Sequence, residues 1–592
     1  MIKLKNSFSK IVALLVIGWF TFQFSIKITE VIENKSTCVC AYDGYGYYMY
    51  LPAFFENGSL DIQKEWAEKL QHSYCSNDLI IYQLQPVENS KFVNIYHMGL
   101  AFVQLPSYFI ADQFAAFLGY NQDGFSKPYH IAYLLNTLLF ILLGILYLRK
   151  LLLLFFDEWI SGMVMLILYF CSNIYPTFID AYQLTHLYLF TFNALLLFHF
   201  FKFVKTEQKR YIIYSALFFG ITCFIRPSQA IWGIIPLIIL WKKFGFTKKM
   251  IGLVAFFPLA AILLNIPHLV YWKTIGGQLL LMNLHTEDIV LTDPNFWNFL
   301  FSYRKGWLLY TPIFLLIIPG FIYLYRNNKN IFWALLSFVI IDIYVLCSWE
   351  CWWYAASYSS RVMIDSYPLL AIIIGFAILG IHRNKILKVA ATIFVISCLI
   401  LNSIQIIQLK KYYLHVERMS KQHYWYIFGR TNIPNYVDYR LEIDRGNVNW
   451  IENQNFKKDP NFSIEKKQVF NSNKRIELNK NTGTTIGKIE LSNLLTTDET
   501  LFEISIRCKS SDSTIVSQFR FEQTGKHNTY SWANIELSKD LPQNQWNEVR
   551  FKVNEAYLRH TDDFIQLYTL TEGNAKVEIE SVKVIARSLI RN

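Results

Sequence analysis

Residues 362–381 read VMIDSYPLLAIIIGFAILGI, a run that holds one carboxylate and no basic side chain. About 20 apolar helical residues cross the hydrocarbon core of a bilayer, so this run is long enough to span a membrane. Similar runs recur through the first two thirds of the chain and predict a polytopic α-helical domain over residues 1–409. The predicted spans, about eleven by the same length criterion, are Ile11–Ile28, Ile131–Leu148, Ile160–Ile179, Leu187–Phe203, Ile212–Ile225, Ala230–Trp241, Ile251–Val270, Trp307–Tyr325, Ile331–Ser348, Val362–Ile381 and Ile386–Ile407.

The composition of the 592 residues agrees with a membrane protein. Hydrophobic residues make up 53% of the chain and charged residues 17%, and the mean hydropathy is +0.25. A soluble domain carries roughly a quarter charged residues, so the composition argues against a single soluble globule. Disorder is excluded as well, because disordered chains are poor in aromatic residues and these make up 17% here.

The C-terminal third has a different pattern. Residues 410–460 form a polar and aromatic connecting segment, and residues 461–592 hold short alternating runs separated by polar turns. About eight strands at that spacing predict an antiparallel β-sandwich or jelly roll. This part weakly resembles carbohydrate-binding modules, in which Tyr530, Trp532 and Trp546 would be sugar-stacking candidates.

Lysine and arginine in the short loops predict the orientation. Basic clusters such as Arg149/Lys150 and Lys242/Lys243 all fall on one side if residues 97–118 form interfacial helices rather than a span. By the positive-inside rule that side is the cytoplasm. We therefore expect a multi-pass protein of the inner (plasma) membrane with a cytoplasmic N-terminus, which acts as an anchor rather than as a cleaved signal peptide. Residues 29–96 form the first outer loop, and the C-terminal domain is extracytoplasmic (periplasmic).

Three of the nine cysteines lie in the first outer loop: Cys38, Cys40 and Cys75. An oxidising compartment allows a disulfide from Cys75 to either of the other two. Three free thiols are an equally acceptable outcome of the sequence. The Cys38-Val39-Cys40 spacing does not indicate a zinc site, because no second Cys/His pair completes a set of four ligands.

The first outer loop also carries the main candidate for chemistry. Residues 41–52 read AYDGYGYYMYLP and place the carboxylate of Asp43 among five tyrosines and two glycines. Glycines permit close approach to a ligand, tyrosines stack on sugars, and an acid in this position serves as a general base or a metal ligand. The alternative is an interfacial belt of aromatic residues with a surface aspartate.

Four cations lie on the predicted outer side, where basic residues are usually sparse: Arg226, Arg304, Lys305 and Arg361. An anionic ligand such as a lipid phosphate explains them together. The alternative for each is snorkelling or pairing with a nearby carboxylate, for example Asp365. Other outer clusters supply substrate-binding candidates; these are Tyr47, Tyr48, Lys91, Tyr96, His97, His186, Glu350, Trp352 and Trp353.

These features over residues 1–430 resemble the GT-C superfamily of membrane glycosyltransferases, which includes protein O-mannosyltransferases and lipid A aminoarabinose transferases. The match rests on the topology and on Asp43, which stands where the family has its acidic motif, just after the first span. The segments 94–106, 302–312, 349–365 and 402–425 also resemble uncharacterised bacterial members.

The resemblance implies one-step transfer of a sugar, with inversion, from a polyprenyl-phosphate donor on the outer face of the membrane. The acceptor would be a lipid, a glycan or a protein. Asp43 would orient or deprotonate the acceptor hydroxyl, and Arg361 with the other cations would bind the departing phosphate. The apolar spans would form a groove for the polyprenyl tail of the donor.

One feature departs from the family pattern. Many relatives have paired acids in the first outer loop, whereas here the nearest further acids are Glu56 and Asp61. A divalent metal is therefore an open question rather than an expectation. Asp43 would act alone if no metal is used.

Two other functions remain open at this level. A transporter or flippase of lipid-linked sugars would carry polar groups through the bilayer midplane, whereas the charges here gather at one surface. A non-catalytic membrane scaffold that binds a glycan is compatible with a single acid. A role in nucleic-acid binding is not expected, because the basic residues are spread over short cytoplasmic loops.

Overall fold

The architecture is described from a computed structural model, which divides into two compact units. One unit holds residues 1–412 and 429–431, and the other holds residues 413–428 and 432–592. The described residues are 7–76, 81–87, 91–281, 289–349, 351–417, 419, 421–433, 462–478, 483–490, 500–511, 517–524, 529–536, 544–555, 564–571 and 577–591.

Seven helices of the first unit are long and apolar enough to cross a membrane, and a bent pair would make eight. These counts apply to the described residues. The prediction of a helical domain with several helices that could span a membrane is therefore confirmed, while the count of about eleven spans is not. The seven are Phe8–Ile32, Lys127–Leu152, His186–Thr206, Lys248–Gly276, Lys329–Cys347, Arg361–Ile381 and Lys385–Lys410.

The remaining predicted spans are bent, broken or short. Helices Glu158–Phe170 and Ile174–Asp180 are bent by 57° at the break between them. The predicted spans at Ala230–Trp241 and Trp307–Tyr325 are interrupted near Pro227 and Pro312, which begin 3₁₀ turns because proline lacks the amide hydrogen that a continuing helix needs. The segments are Lys209–Ile225, Pro227–Gly233 (3₁₀), Ile234–Phe244, Phe296–Phe301, Trp307–Tyr310, Pro312–Leu316 (3₁₀) and Ile317–Asn327.

Burial separates central helices from peripheral ones. Helix His186–Thr206 is buried around most of its surface, and so is the segment Arg361–Ile381. Helix Lys385–Lys410 instead exposes apolar side chains such as Ile393 (60%) and Ile400 (55%). Large exposed apolar faces are typical of surfaces that meet lipid or a partner, so the peripheral helices are compatible with a bilayer around this unit.

The described residues of segment 29–96, which the sequence predicts to be the first outer loop, are folded. They contain helices Asp43–Tyr48, Tyr50–Phe55 and Lys64–His72 and a hairpin of strands β1 (Leu84–Pro86) and β2 (Phe92–Asn94). A disulfide joins Cys38 to Cys75, while Cys40 is a buried free thiol. Residues 99–118 form one helix, Gly99–Leu118, that continues through Pro106, where two or more interfacial helices were expected.

In its described residues the second unit contains helix Lys421–Ile427 and nine strands, so the predicted β-rich C-terminal domain is confirmed. All strand pairs are antiparallel. The strands are β3 (Phe462–Ser472), β4 (Ile476–Leu478), β5 (Gly483–Glu490), β6 (Thr500–Ser510), β7 (Ser517–Thr524), β8 (Thr529–Glu536), β9 (Asn547–Glu555), β10 (Phe564–Thr571) and β11 (Val577–Arg591).

Two sheets share the core of this unit. One sheet has the order β5-β10-β7-β8, and the other has β3-β11-β6-β9 with β4 also paired to β11. This is the strand order of a jelly roll, in which most consecutive strands lie in opposite sheets; here the exceptions are β3 and β4, which lie in one sheet, and β7 and β8, which lie in the other. Alternate residues of β6 (Phe502, Ile504 and Ile506) point into the shared core with Phe519 and Leu567 from the opposite sheet.

The aromatic residues considered for sugar stacking are only partly described. Trp546 is half-buried just before β9, and Arg475 lies over its ring at 5.5 Å. The side chains of Tyr530 and Trp532 lie outside the described part of the chain.

The disulfide gives a direct test of the first outer loop. A thiol reagent should label seven cysteines of the denatured, unreduced protein and nine after reduction, counted by mass spectrometry of the intact chain. Cys40→Ser should leave the bond intact, whereas Cys38→Ser should abolish it. Nine adducts before reduction would contradict the disulfide and, with it, an oxidising location for this loop.

Candidate functional site

Asp43 is held by three side chains that lie far apart in the sequence. The hydroxyls of Tyr82 and Tyr96 donate hydrogen bonds to its Oδ1 at 2.6 Å and 2.8 Å. Arg361 Nη2 donates to Oδ2 at 3.0 Å. The structure therefore brings together Asp43, Arg361 and Tyr96, which the sequence nominated, and adds Tyr82.

These partners decide the protonation of Asp43. Burial alone would raise the pKa of its carboxyl group, but the charge of Arg361 and the hydrogen bonds from Tyr82 and Tyr96 outweigh it and hold the pKa below its usual value. Asp43 is therefore a carboxylate at neutral pH. Because a general base works best when its pKa lies near the working pH, Asp43 in this ion pair is a weak base and a good orienting group.

The backbone before Asp43 is bent by an unusual conformation. Tyr42 has φ of 51°, in the left-handed region that side-chain-bearing residues seldom adopt. Its carbonyl accepts a hydrogen bond from Gln83 Nε2 at 2.8 Å, which helps to hold the bend. The short helix Asp43–Tyr48 follows directly after this bend.

The two glycines of the motif are required by protein neighbours. A Cβ at Gly46 would lie 2.2 Å from Cδ2 of Tyr96, and one at Gly44 would lie 2.7 Å from Cβ of Gln183. Gln183 in turn accepts a hydrogen bond from the Ala41 amide at 3.0 Å. The sequence suggested that these glycines admit a ligand; in the structure they admit Tyr96 and Gln183.

A second polar cluster surrounds Asp365. His186 Nδ1 lies 2.9 Å from Oδ1, while Gln229 Nε2 and Arg226 Nη1 lie 3.3 Å and 3.6 Å from Oδ2. Asn193 Nδ2 donates to the Asp365 backbone carbonyl at 2.9 Å. Arg226 and His186 were nominated as ligand-binding residues, and both face this buried carboxylate.

Tyr47 lies between the two clusters. Its ring packs edge-on against Tyr96 with centroids 4.7 Å apart, and its hydroxyl lies within the electrostatic influence of Arg226, Asp43 and Arg361. Two guanidinium groups and one phenol therefore meet near Asp43. Of the nominated aromatic residues, Tyr47 and Tyr96 are the ones that the structure places here.

Lys305 has a different environment from the one that the sequence suggested. Its buried ammonium donates to the carbonyls of Ala355 and Ser357 at 2.9 Å and 2.5 Å and to Ser357 Oγ at 3.1 Å. An ammonium has three N–H donors, so each of them has an acceptor within the protein. The structure directs Lys305 to a backbone segment rather than to the Asp43 cluster.

That segment leads into Arg361. Tyr354, Ala355 and Ser359 all have φ between 51° and 57°, again the left-handed region. Such residues cost of order 1 kcal/mol or more each and persist only where surrounding contacts hold them. The hydrogen bonds from Lys305 are such contacts, so we assign Lys305 to positioning the turn that precedes Arg361.

The nominated residues Arg304, Trp352 and Trp353 contact one another. The Arg304 guanidinium lies 3.9 Å from the centroid of the Trp353 ring, a cation–π contact. The rings of Trp352 and Trp353 are 5.8 Å apart, and Trp352 is buried.

The other nominated residues lie elsewhere. Tyr48 donates to the Gly124 carbonyl at 2.6 Å within the packed interior, and the ring of His97 lies 4.2 Å from that of His268. Lys91 is half-buried beside the β1–β2 hairpin. Glu350 lies outside the described residues.

Several residues of the site were not nominated from the sequence. Tyr82, Gln83, Gln229 and Asn193 stand outside every motif considered, and nothing in their local sequence distinguishes them. Tyr82 follows a stretch with no acidic or basic pattern that would relate it to Asp43, 39 residues earlier. The sequence of a single protein carries no signal for such a contact.

The residues around Asp43 do not fit a divalent metal. Both of its oxygens already accept hydrogen bonds, and Arg361 brings a positive charge against one of them. Within the part of the chain that the structure describes, no three His, Cys, Asp or Glu side chains are grouped closely enough to hold an ion. We therefore derive no step through a metal.

Comparison with known proteins gives no family. No family model and no curated protein matches the chain. Among solved structures, the chain is similar to VP2 of infectious bursal disease virus, in the crystal structure of its subviral particle, at 8% identity and a TM-score of 0.15. The similarity covers 22% of this chain and spans 38% of the VP2 chain, and it supports no argument about fold or function.

Gly46→Ala should disturb Tyr96, because the added methyl group would overlap its ring. Overpacking of this kind costs roughly 1–3 kcal/mol. We expect a lower melting temperature for the purified protein in detergent. Gly18→Ala is the matched control, since a Cβ there meets nothing within 4 Å; equal melting temperatures for the two variants would contradict the close approach.

Lys305→Met should destabilise the protein by roughly 1–3 kcal/mol, because it leaves the buried carbonyls of Ala355 and Ser357 without a donor. Lys273→Met is the control, since its exposed ammonium contacts a single carbonyl, that of Gly277. The melting temperatures of both variants, measured in the same detergent, give the comparison. A native melting temperature for Lys305→Met would show that the segment does not depend on this lysine.

Proposed function

We propose that the protein is a membrane glycosyltransferase of the GT-C type, which moves a sugar from a polyprenyl-phosphate donor to an acceptor outside the cytoplasm. The observation that carries the proposal is the convergence of Asp43 with Arg361 and, nearby, Arg226. An acid paired with one guanidinium group and within the electrostatic influence of a second suits a reaction in which a hydroxyl attacks and a phosphate leaves.

In the proposed reaction the acceptor oxygen forms a bond to the anomeric carbon of the donor sugar. The bond from that carbon to the phosphate oxygen breaks, and its electron pair stays with the phosphate. The proton of the acceptor hydroxyl passes to Asp43. Arg361 and Arg226 stabilise the charge that develops on the leaving phosphate, so no acid is needed to protonate it.

The supporting residues have defined parts in this proposal. Tyr82 and Tyr96 hold the carboxylate in place, and Tyr47 offers a phenol between the acid and Arg226. The exposed apolar faces of the outer helices suit a membrane-bound donor. Sugar and acceptor would be chosen by residues near this cluster.

The alternatives make different demands on the same residues. A transporter of lipid-linked sugars needs no proton acceptor, so it would tolerate a neutral isostere at Asp43. A glycan-binding scaffold would tolerate loss of both Asp43 and Arg361, provided that the fold survives. Substitution of these two residues therefore separates the three functions.

Asp43→Asn and Arg361→Ala should each lower glycosyl transfer by about 100-fold, the scale seen when one group that stabilises developing charge is removed. The measurement is mass spectrometry of surface glycans from cells whose own copy of the protein is replaced by the variant. Asp61→Asn, an acid of the same loop hydrogen-bonded to Gln63, is the control and should retain transfer.

Levels of each variant in the membrane fraction must match the native protein for the comparison to hold. If both site variants reach the membrane and the glycans stay unchanged, the protein is not the proposed transferase. Loss of glycan with Arg361→Ala but not with Asp43→Asn would favour the transporter.

A further inference from the structure

The guanidinium of Arg361 is incompletely hydrogen-bonded. Its side chain is only 10% exposed, yet Nη2 has the single short contact, to Asp43 at 3.0 Å. Nη1 lies 3.4 Å from the Ala356 carbonyl, and Nε has no partner among the described residues. Since a guanidinium has five N–H donors, most of its capacity is unused in a place where unmet donors are costly.

Asp43 does not depend on Arg361 for its position. Tyr82 and Tyr96 both bond Oδ1, whereas Arg361 bonds Oδ2. Tyr96 is itself fixed, because its amide donates to Asn94 Oδ1 at 3.0 Å and its carbonyl accepts from the Tyr50 hydroxyl at 2.5 Å. If Arg361 turned away, the carboxylate would stay in place with Oδ2 uncovered.

The charges around this pair are balanced. Asp43 faces Arg361, and Asp365 faces Arg226 at the longer distance of 3.6 Å. In these two pairs each cation faces a carboxylate, so a phosphate that binds Arg361 or Arg226 competes with that carboxylate for the positive charge. Arg361 is the cation better suited to this exchange, because its present partner is half-buried, at 27% exposed, whereas Asp365 is 5% exposed.

We propose that the phosphate of the donor and Asp43 compete for Arg361, so that phosphate binding uncovers Oδ2 of Asp43 for the acceptor hydroxyl. This inference rests on the proposed function, since it takes the donor to be a polyprenyl phosphate. Phosphate geometry matches the whole guanidinium fork, so a bound phosphate takes the unused donors of Arg361 together with the Nη2 donor that now bonds Asp43. Tyr82 and Tyr96 are positioning residues that keep the acid in place during the exchange.

Two properties of the site follow. Donor binds before acceptor, because Arg361 covers the acid until the phosphate arrives. The acid also becomes a better proton acceptor at that moment, since it loses the neighbouring positive charge that lowers its pKa. The base is thus weak in the free protein and stronger in the donor complex.

The test measures binding of undecaprenyl phosphate, which has no sugar, to the purified full chain in nanodiscs by native mass spectrometry. Removal of the competing carboxylate in Asp43→Asn should tighten binding by about fivefold, the scale of a partly exposed ion pair. Arg361→Gln should weaken binding by about tenfold or more. Asp180→Asn is the charge-matched control, since the charge of Asp180 interacts with Lys27 and Lys410, and it should leave binding unchanged.

Unchanged or weaker binding by Asp43→Asn would overturn the competition, and so would equal tightening by Asp180→Asn. Asp43→Ser provides a second neutral replacement if Asp43→Asn does not fold, and the same outcomes apply to it. These results are separate from the fate of the proposed function. An Asp43→Asn protein that has lost transfer without binding the lipid more tightly rejects the competition alone, whereas native transfer by both Asp43→Asn and Arg361→Gln rejects the function.

Discussion

The site depends on compensation of the charge that Arg361 carries into the helical unit. A guanidinium in a mostly apolar interior needs a counter-charge, and Asp43 supplies it from 318 residues earlier in the chain. To reach that position the first outer loop must fold against the central helices. Tyr82 and Tyr96 then donate hydrogen bonds to the other carboxylate oxygen. The Asp43–Arg361 ion pair therefore connects the loop and its hairpin to the segment Arg361–Ile381.

The same constraint recurs at the other buried cations. Arg226 faces Asp365, which His186 and Gln229 also bond, and Lys305 is surrounded by oxygens of a turn. Lys305 has an acceptor for each of its donors, and within the described part of the chain the more exposed Arg226 has a single ion-pair contact at 3.6 Å. Arg361 is more deeply buried than Arg226 and still retains an unpartnered Nε among the described residues. A buried cation with unused N–H donors can form new hydrogen bonds to a ligand. This distinguishes Arg361 from cations that look alike in the sequence.

The effect of proline on these helices depends on the packing around it as well as on its local chemistry. Pro312 breaks the segment Trp307–Tyr325, which was predicted as one span, and Pro227 begins a 3₁₀ turn that shortens the next predicted span, because proline cannot donate to the preceding turn. Residues 97–118 were expected to form more than one helix, yet the single helix Gly99–Leu118 continues through Pro106. A helix tolerates one missing hydrogen bond when packing on both sides holds it, and Leu100 and Tyr108 of this helix are buried.

The sequence by itself determined the helical unit and the β-rich unit, and it singled out Asp43 and four cations as candidates, because hydrophobic periodicity and residue type are local properties. Only the tertiary structure decided that Arg361 meets Asp43 while Lys305 holds a turn, that Tyr82 joins the site, and that Gly46 makes room for Tyr96. Such pairings depend on how distant segments pack, and no local pattern encodes which buried charge will find which partner.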